Sequence, residues 1–199
     1  DEREWAGRWL DGHGLCGKVL IAVHPGAYYE TQRWPIEYYA GLIDLMCQQT
    51  QWEVILLGGS SDAKVIDEIF TRCERDIRAY VQNDMRKFLA ILSRCQMLVC
   101  NNSGPLHCAA ALNIPTLSFM GPTVKELWMP MGEGHRVLRL DDLPCIGCNS
   151  GRCRIKTHDC MRMIEPEAAF KIIQKELFPL FSGSGQVTPE GKDYRQTTD

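Results

Sequence analysis

Lys18-Val19-Leu20-Ile21-Ala22-Val23-His24, ended by Pro25-Gly26, is an unbroken apolar run carrying β-branched residues. A run without polar alternation reads as a strand buried on both faces, the habit of parallel sheets. The chain then repeats the unit. After a loop to Trp34-Pro35, the residues Ile36, Tyr39, Ala40, Ile43, Met46 and Cys47 recur at helical spacing, and Pro35 suits the first helical position. Residues 53–57 form the next strand, Gly58-Gly59-Ser60-Ser61 its turn, and Val65, Ile66, Ile69, Phe70 and Cys73 line a helix. Residues 77–80, 97–100, 115–120 and 135–140 supply further strands. Met85, Phe88, Leu89, Leu92 and Cys95, then residues 105–112, mark helices between them. Ala169, Ile172, Ile173 and Leu177 stripe a final helix. This alternation predicts an α/β fold with a mostly parallel sheet flanked by helices.

Outward from that core, residues 1–17 read as a charged, partly helical lead-in or linker, 18–181 as the domain, and 182–199 as a flexible polar tail. The start, Asp1-Glu2-Arg3-Glu4-Trp5, is neither a signal peptide nor an initiator methionine, so the chain is expected to be part of something longer. Of the 199 residues, 45% are apolar and 24% charged, with a net charge of −3. That composition excludes a disordered chain and argues against a general nucleic-acid binder, which would be basic. No apolar run approaches the roughly 18 residues that span a bilayer.

In parallel α/β sheets ligands sit at the carboxyl ends of the strands. Here those ends lead into residues 24–33, 58–62, 101–107 and 120–123, which are expected to line one crevice. Asn101-Asn102-Ser103-Gly104-Pro105-Leu106-His107 joins a strand to a helix. Gly104 permits close approach of a ligand, and the helix N-terminus offers free N–H groups and partial positive charge to a phosphate. The plainer reading is a helix cap with a buried His107. Asp62 either accepts ribose hydroxyls or favours the following helix N-terminus. Arg33, beside Thr31 and Gln32, either faces a diphosphate or is a solvated charge, with Trp34 in the core.

Taken together these stretches resemble a family. His24-Pro-Gly-Ala27, Thr31-Gln-Arg-Trp-Pro35, Leu56-Leu-Gly-Gly59, Asn102-Ser-Gly-Pro-Leu-His107, Phe119-Met-Gly-Pro-Thr123 and Pro144-Cys-Ile-Gly-Cys148 occur in that order. The run is similar to the C-terminal half of the lipopolysaccharide heptosyltransferases, glycosyltransferase family 9, over about residues 18–177. The resemblance implies a Rossmann-like half of a GT-B enzyme that binds an ADP-heptose-like nucleotide sugar. It implies an inverting transfer that requires no catalytic metal. The general base and the lipid-linked saccharide acceptor would belong to an N-terminal half lacking here, so no catalytic residue is assigned and this half alone is expected to be inactive. The implied location is the cytoplasm, at the inner membrane face.

Thr31, Gln32, Arg33, Asp62, Asn102, Ser103, Gly104 and His107 are the donor-site candidates. Two of them depart from the family: Asn102 stands where it has Asp, and Gln32 where it has Lys. Neither can supply the missing charge, so a non-catalytic nucleotide-binding module derived from such an enzyme is the alternative. A nucleotide-sugar epimerase is disfavoured, because no carboxylate cluster supplies its acid and base.

Ten cysteines fall into two populations. Cys16, Cys47, Cys73, Cys95, Cys100 and Cys108 stand singly among apolar residues and read as small buried hydrophobes. Cys145, Cys148, Cys153 and Cys160 crowd into the loop 141–160. Four thiolates suit a structural zinc or iron ion and leave no open position for catalysis. Free thiols or disulfides are the other reading. Lying after the last strand, this loop is expected to be independent of nucleotide binding.

Overall fold

The structure, a computed structural model, describes residues 1–182; the expected tail from 183 onward lies outside the described residues. The strands are β1 (Leu20–His24), β2 (Glu53–Gly58), β3 (Arg78–Val81), β4 (Met97–Asn101), β5 (Thr116–Phe119) and β6 (His135–Leu138). They form one sheet in the order β3-β2-β1-β4-β5-β6, and every pairing is parallel.

Among the described residues nine α-helices cover it: α1 (Glu2–Gly12), α2 (Ile36–Gln49), α3 (Ala63–Phe70), α4 (Met85–Leu92), α5 (Gly104–Ala111), α6 (Lys125–Trp128), α7 (Asp159–Arg162), α8 (Pro166–Ile172) and α9 (Phe178–Ser182). Between α8 and α9 the turn Ile173–Leu177 widens to a π-helix. Pro35 caps α2 from the residue before its first turn rather than within it. Residues 2–12 form a full helix that is part of the domain core. Asp1 and Glu4 close its N-terminus reciprocally, and Ala6 and Leu10 are buried.

Successive strand residues point to opposite faces. Ile21, Val23, Val54, Leu56, Met97, Val99, Leu117 and Phe119 pack with α2, α3 and the α7–α9 region on one face. Leu20, Ala22, Ile55, Leu57, Leu98 and Cys100 pack with α1, α4 and α5 on the other. Each buried Leu, Ile or Val side chain contributes about 1.5–3 kcal/mol, which is why the strands carry no polar alternation. The scattered cysteines divide: Cys95 and Cys100 are buried, Cys47, Cys73 and Cys108 are partly so, and Cys16 is exposed.

The topology positions the site. The crossovers after β1 and β2 run over the first face, and those carrying α4 and α5 run over the second. The strand order therefore reverses between β1 and β4, and their carboxyl ends are where such sheets place a ligand crevice.

In the first core, Trp34 stacks on Phe119, with centroids 4.1 Å apart and planes 15° from parallel, and Tyr39 meets both rings edge-on. The Tyr39 hydroxyl is buried without a hydrogen-bond partner. Removing an unsatisfied polar atom relieves its desolvation cost. Tyr39→Phe is therefore expected to stabilise the fold by up to about 1 kcal/mol, whereas Phe119→Ala is expected to cost about 3–5 kcal/mol. Urea denaturation of the two variants checks both signs.

Candidate functional site

At the β1–β4 switch point the first fixed element is Asn101, the fully buried last residue of β4. Its Oδ1 accepts the Trp34 backbone N–H at 2.9 Å, and its Nδ2 donates to the Pro25 carbonyl at 2.7 Å. One side chain thus holds both ends of the long first loop. Within the loop the Arg33 guanidinium donates twice to the Ala27 carbonyl, at 3.2 and 3.0 Å.

Beside it lies a pair that the motif reading did not single out. His24, only 6% exposed, ends β1. Its Nε2 is 3.5 Å from Asp62 Oδ2, and its Nδ1 is 3.4 Å from the Ser103 hydroxyl. Asp62 Oδ2 also accepts the Gly59 N–H at 2.9 Å. The hydrogen bond with His24, then the Gly59 N–H and the His24 and Arg33 charges, outweigh burial and hold the Asp62 carboxyl below its ordinary range. Glycines make room for this pair. A Cβ on Gly26 would lie 2.2 Å from Asp62 Oδ1 and 2.9 Å from His24 Cε1, and one on Gly58 would lie 2.9 Å from Asp62 Cβ. Neither glycine has a positive φ, so space rather than backbone conformation requires them.

The third loop sits opposite. The buried Asn102 donates from Nδ2 to Thr123 Oγ1 at 3.2 Å, joining the loops after β4 and β5. Arg139 fixes the latter by donating to the Met120 and Thr123 carbonyls, and it pairs with Asp141 at 2.6 Å. Ser103 is the N-cap of α5, yet its side chain makes no cap hydrogen bond; it turns to His24 and to the Asn101 carbonyl at 3.3 Å. Gly104 is exposed, and a Cβ there would meet nothing within 4 Å. The space in front of this helix end is open. His107 is exposed, with its ring 6.3 Å from that of Trp128, and so is not the buried histidine of the plainer reading.

Not every candidate faces this space. Gln32 Oε1 accepts the Tyr29 N–H at 3.3 Å inside its own loop. Thr31 points to the cysteine loop: its hydroxyl donates to the Ser150 carbonyl at 2.7 Å, and its carbonyl meets His158 Nε2 at 2.7 Å. The cysteine loop is therefore attached to the first loop, contrary to the independence expected from its place in the sequence. Cys145, Cys148, Cys153 and Cys160 line one small cavity together with Thr31 and His158. Burial, reinforced by the other three sulfurs, pushes the Cys160 thiol up to about 11. Among the described residues no group of three or more His, Cys, Asp or Glu already forms a metal-ligating array, and all four thiols are free.

The missed residues carried a weak signal. His24, Asn101, Thr123 and Arg139 each lie at or near a strand end, but what they do depends on partners 38, 67, 21 and 16 residues away.

Residues 6–158 match glycosyltransferase family 9 (heptosyltransferase). A lipooligosaccharide heptosyltransferase 2 of Campylobacter jejuni is 27% identical over 166 residues, which cover 80% of this chain and 52% of that protein. The chain thus spans about half the length of that curated relative. Among solved structures, the E. coli ADP-heptose lipopolysaccharide heptosyltransferase II has a TM-score of 0.75 at 22% identity, covering 90% of this chain and 52% of that one. The iron-containing dodecameric glycosyltransferase TibC from enterotoxigenic E. coli has a TM-score of 0.61 at 12% identity, covering 79% and 46%. At those identities the two structures establish the fold. Among the described residues no helix is long and apolar enough to cross a membrane.

The Asp62 contacts make a stability prediction. A carboxyl held below its unfolded pKa contributes stability above the unfolded value and loses it as pH falls through the folded one. Asp62→Asn is expected to lower stability by about 1–2 kcal/mol at neutral pH, and the difference from wild type should close in acid. Urea midpoints measured from neutral to acid pH report the convergence.

Proposed function

The chain belongs to glycosyltransferase family 9, and from that premise we propose that it is the donor-binding half of an inverting heptosyltransferase of lipopolysaccharide core synthesis. Its donor would be an ADP-heptose-like nucleotide sugar, the donor of the E. coli ADP-heptose lipopolysaccharide heptosyltransferase II that shares its fold. The acceptor would be a lipid-linked saccharide held by polypeptide outside this chain, which would also supply the general base. In this reading the protein works at the cytoplasmic face of the inner membrane and is inactive as an isolated half.

One observation carries the proposal. The α5 N-terminus opens at the switch point with an uncapped first turn and free space before Gly104. Backbone N–H groups and the helix dipole suit a diphosphate there. Asn102, Ser103 and His107 would surround the sugar and phosphates. Arg33, whose charge reaches Asp62, lies on the far side. Asp62 serves this site as an internal brace as much as a ribose acceptor, since His24 and the Gly59 N–H occupy one of its oxygens.

The uncharged Gln32 and Asn102 favour the second reading, a nucleotide-binding module without transfer activity. Each has an internal partner, Tyr29 and Thr123 respectively, so neither is left to replace a charge. Heptose transfer by the chain supplied with a family N-terminal half separates the two readings.

The cysteine loop is proposed to hold a structural zinc or iron ion, with no part in catalysis. Four soft donors line one cavity, and TibC is an iron-containing member of the same fold. From Asp141 to Asp159 no residue is fully buried, and the partly buried Leu143 and Ile146 give the segment limited apolar packing at its start. Three of the four non-glycine residues with positive φ among the described residues, Asn149, Lys156 and His158, lie in it. Such a backbone persists only where its surroundings determine it.

ADP is expected to bind the chain weakly and to shift the amide resonances of residues 101–107; no shift there at millimolar ADP would overturn the donor-site reading. Gln32→Lys should tighten ADP by roughly fivefold at low salt, and the gain should shrink as salt rises. Protein purified without added metal should contain zinc or iron, and less than about a tenth of an equivalent rejects the thiolate site. Removing the metal should also weaken ADP, because Thr31 ties the two loops.

A further inference from the structure

The polar chain Asp62–His24–Ser103 is not explained by folding alone. Its two links, 3.5 and 3.4 Å, are at the long end of hydrogen bonding, as contacts in ligand-free sites often are. Yet two glycines are required to seat it, and its far end is a helix-cap serine turned away from its own helix. A serine N-cap ordinarily gives its oxygen to the first-turn N–H groups. Here the imidazole draws that oxygen off and leaves the helix end uncapped.

We infer that His24 is a positioning residue whose protonation sets the direction of the Ser103 hydroxyl, so that a nucleoside diphosphate is held more tightly when the imidazole carries its second proton. This rests on the donor-site reading above. With Asp62 ionised, Nε2 keeps a proton and donates it to the carboxylate, so the neutral ring offers Nδ1 as an acceptor. The Ser103 O–H then points to Nδ1, and its lone pairs face the crevice, where they repel phosphate oxygens. Once Nδ1 is protonated it donates to the serine oxygen instead. The hydroxyl hydrogen is released toward a ligand oxygen, with the Asn101 carbonyl, 3.3 Å away, as its resting partner. The same proton removes the net negative charge of the His24–Asp62 pair beside the anion.

The groups facing the ring are accounted for by element. The turn before α3 brings Asp62. The first loop brings Gly26 and, one step behind Asp62, Arg33. The N-terminus of α5 brings Ser103, and α4 brings the uncharged Phe88 edge-on at 6.3 Å. Among these only Asp62 and Arg33 are ionic, and Asp62, held below the ordinary carboxylate range, stays ionised near neutrality.

The test uses ADP-ribose, a nucleoside diphosphate sugar whose phosphates do not titrate near neutrality, with affinity measured by calorimetry from about pH 5.5 to 8.5. Wild-type affinity is expected to fall by roughly tenfold across that range. His24→Gln should bind with a flat profile, and Ser103→Ala with a shallower slope than wild type, because the charge of the His24–Asp62 pair still changes. A wild-type slope that survives in His24→Gln, or a flat wild-type profile with measurable binding, overturns the inference. If ADP-ribose does not bind at any pH, the donor-site reading fails instead. The hydrogen-bond switch is then judged in the free protein. The Ser103 and Gly104 amide resonances should follow one titration that is absent from His24→Gln, and amides that ignore pH overturn it.

Discussion

A single buried amide sets the geometry on which the crevice depends. Asn101 closes β4 with its side chain turned across the sheet to β1, where it takes the Trp34 N–H and gives to the Pro25 carbonyl. Both backbone groups are buried and would be unsatisfied without it, at a cost of about 1–3 kcal/mol each. Because the ends of the first loop are pinned to β4, the intervening residues must arch over the switch point. Trp34 is delivered into the core, where its indole N–H finds the Ile164 carbonyl at 2.8 Å. The indole stack on Phe119 then carries the same constraint to β5. No aspartate could do this work, since a carboxylate has no N–H for Pro25.

Around that clamp the site is built by leaving things out. Gly26 and Gly58 lack the Cβ atoms that would displace Asp62, and Gly104 lacks one that would project into the open space before α5. The first two omissions let a carboxylate reach a histidine inside the protein; the third exposes backbone N–H groups to a ligand. The resulting electrostatics are mixed. One oxygen of Asp62 is held internally by His24 and the Gly59 N–H, while the α5 dipole adds partial positive charge at the helix end.

Much of this was legible in the sequence because it is local. Apolar runs without alternation gave the strands of a sheet buried on both sides, and the glycine turns after them located the loops that converge. Six ordered motifs identified the family. The partners of each residue were not legible. Asn102 reads as a donor contact, but its amide also fastens Thr123. Thr31 reads as a donor-loop hydroxyl, but its hydrogen bond goes to residue 150. His24 reads as a strand end that opens a family motif, but its contacts are not legible, because they need Asp62 and Ser103, one from each side of the reversal in strand order. Pairings over such separations follow from topology, which hydrophobic pattern constrains only as a class.

The attachment through Thr31 changes how the cysteine loop bears on the crevice. Beyond the partly buried Leu143 and Ile146, the segment from 141 to 159 has no fully buried residue, so its shape depends heavily on its hydrogen bonds. Tyr29 adds a second point of attachment, since its ring lies 2.8 Å from where a Gly151 Cβ would be. Thr31, Tyr29 and His158 therefore join the pinned first loop to a weakly packed segment, and ordering either one lowers the entropic cost of ordering the other. A ligand that orders the first loop would then tighten the cysteine cavity, and a metal in that cavity would pre-order the donor loop. By linkage the two effects are equal in size. The cluster that sits after the last strand in the sequence is thus, in space, tied to the loop that follows β1.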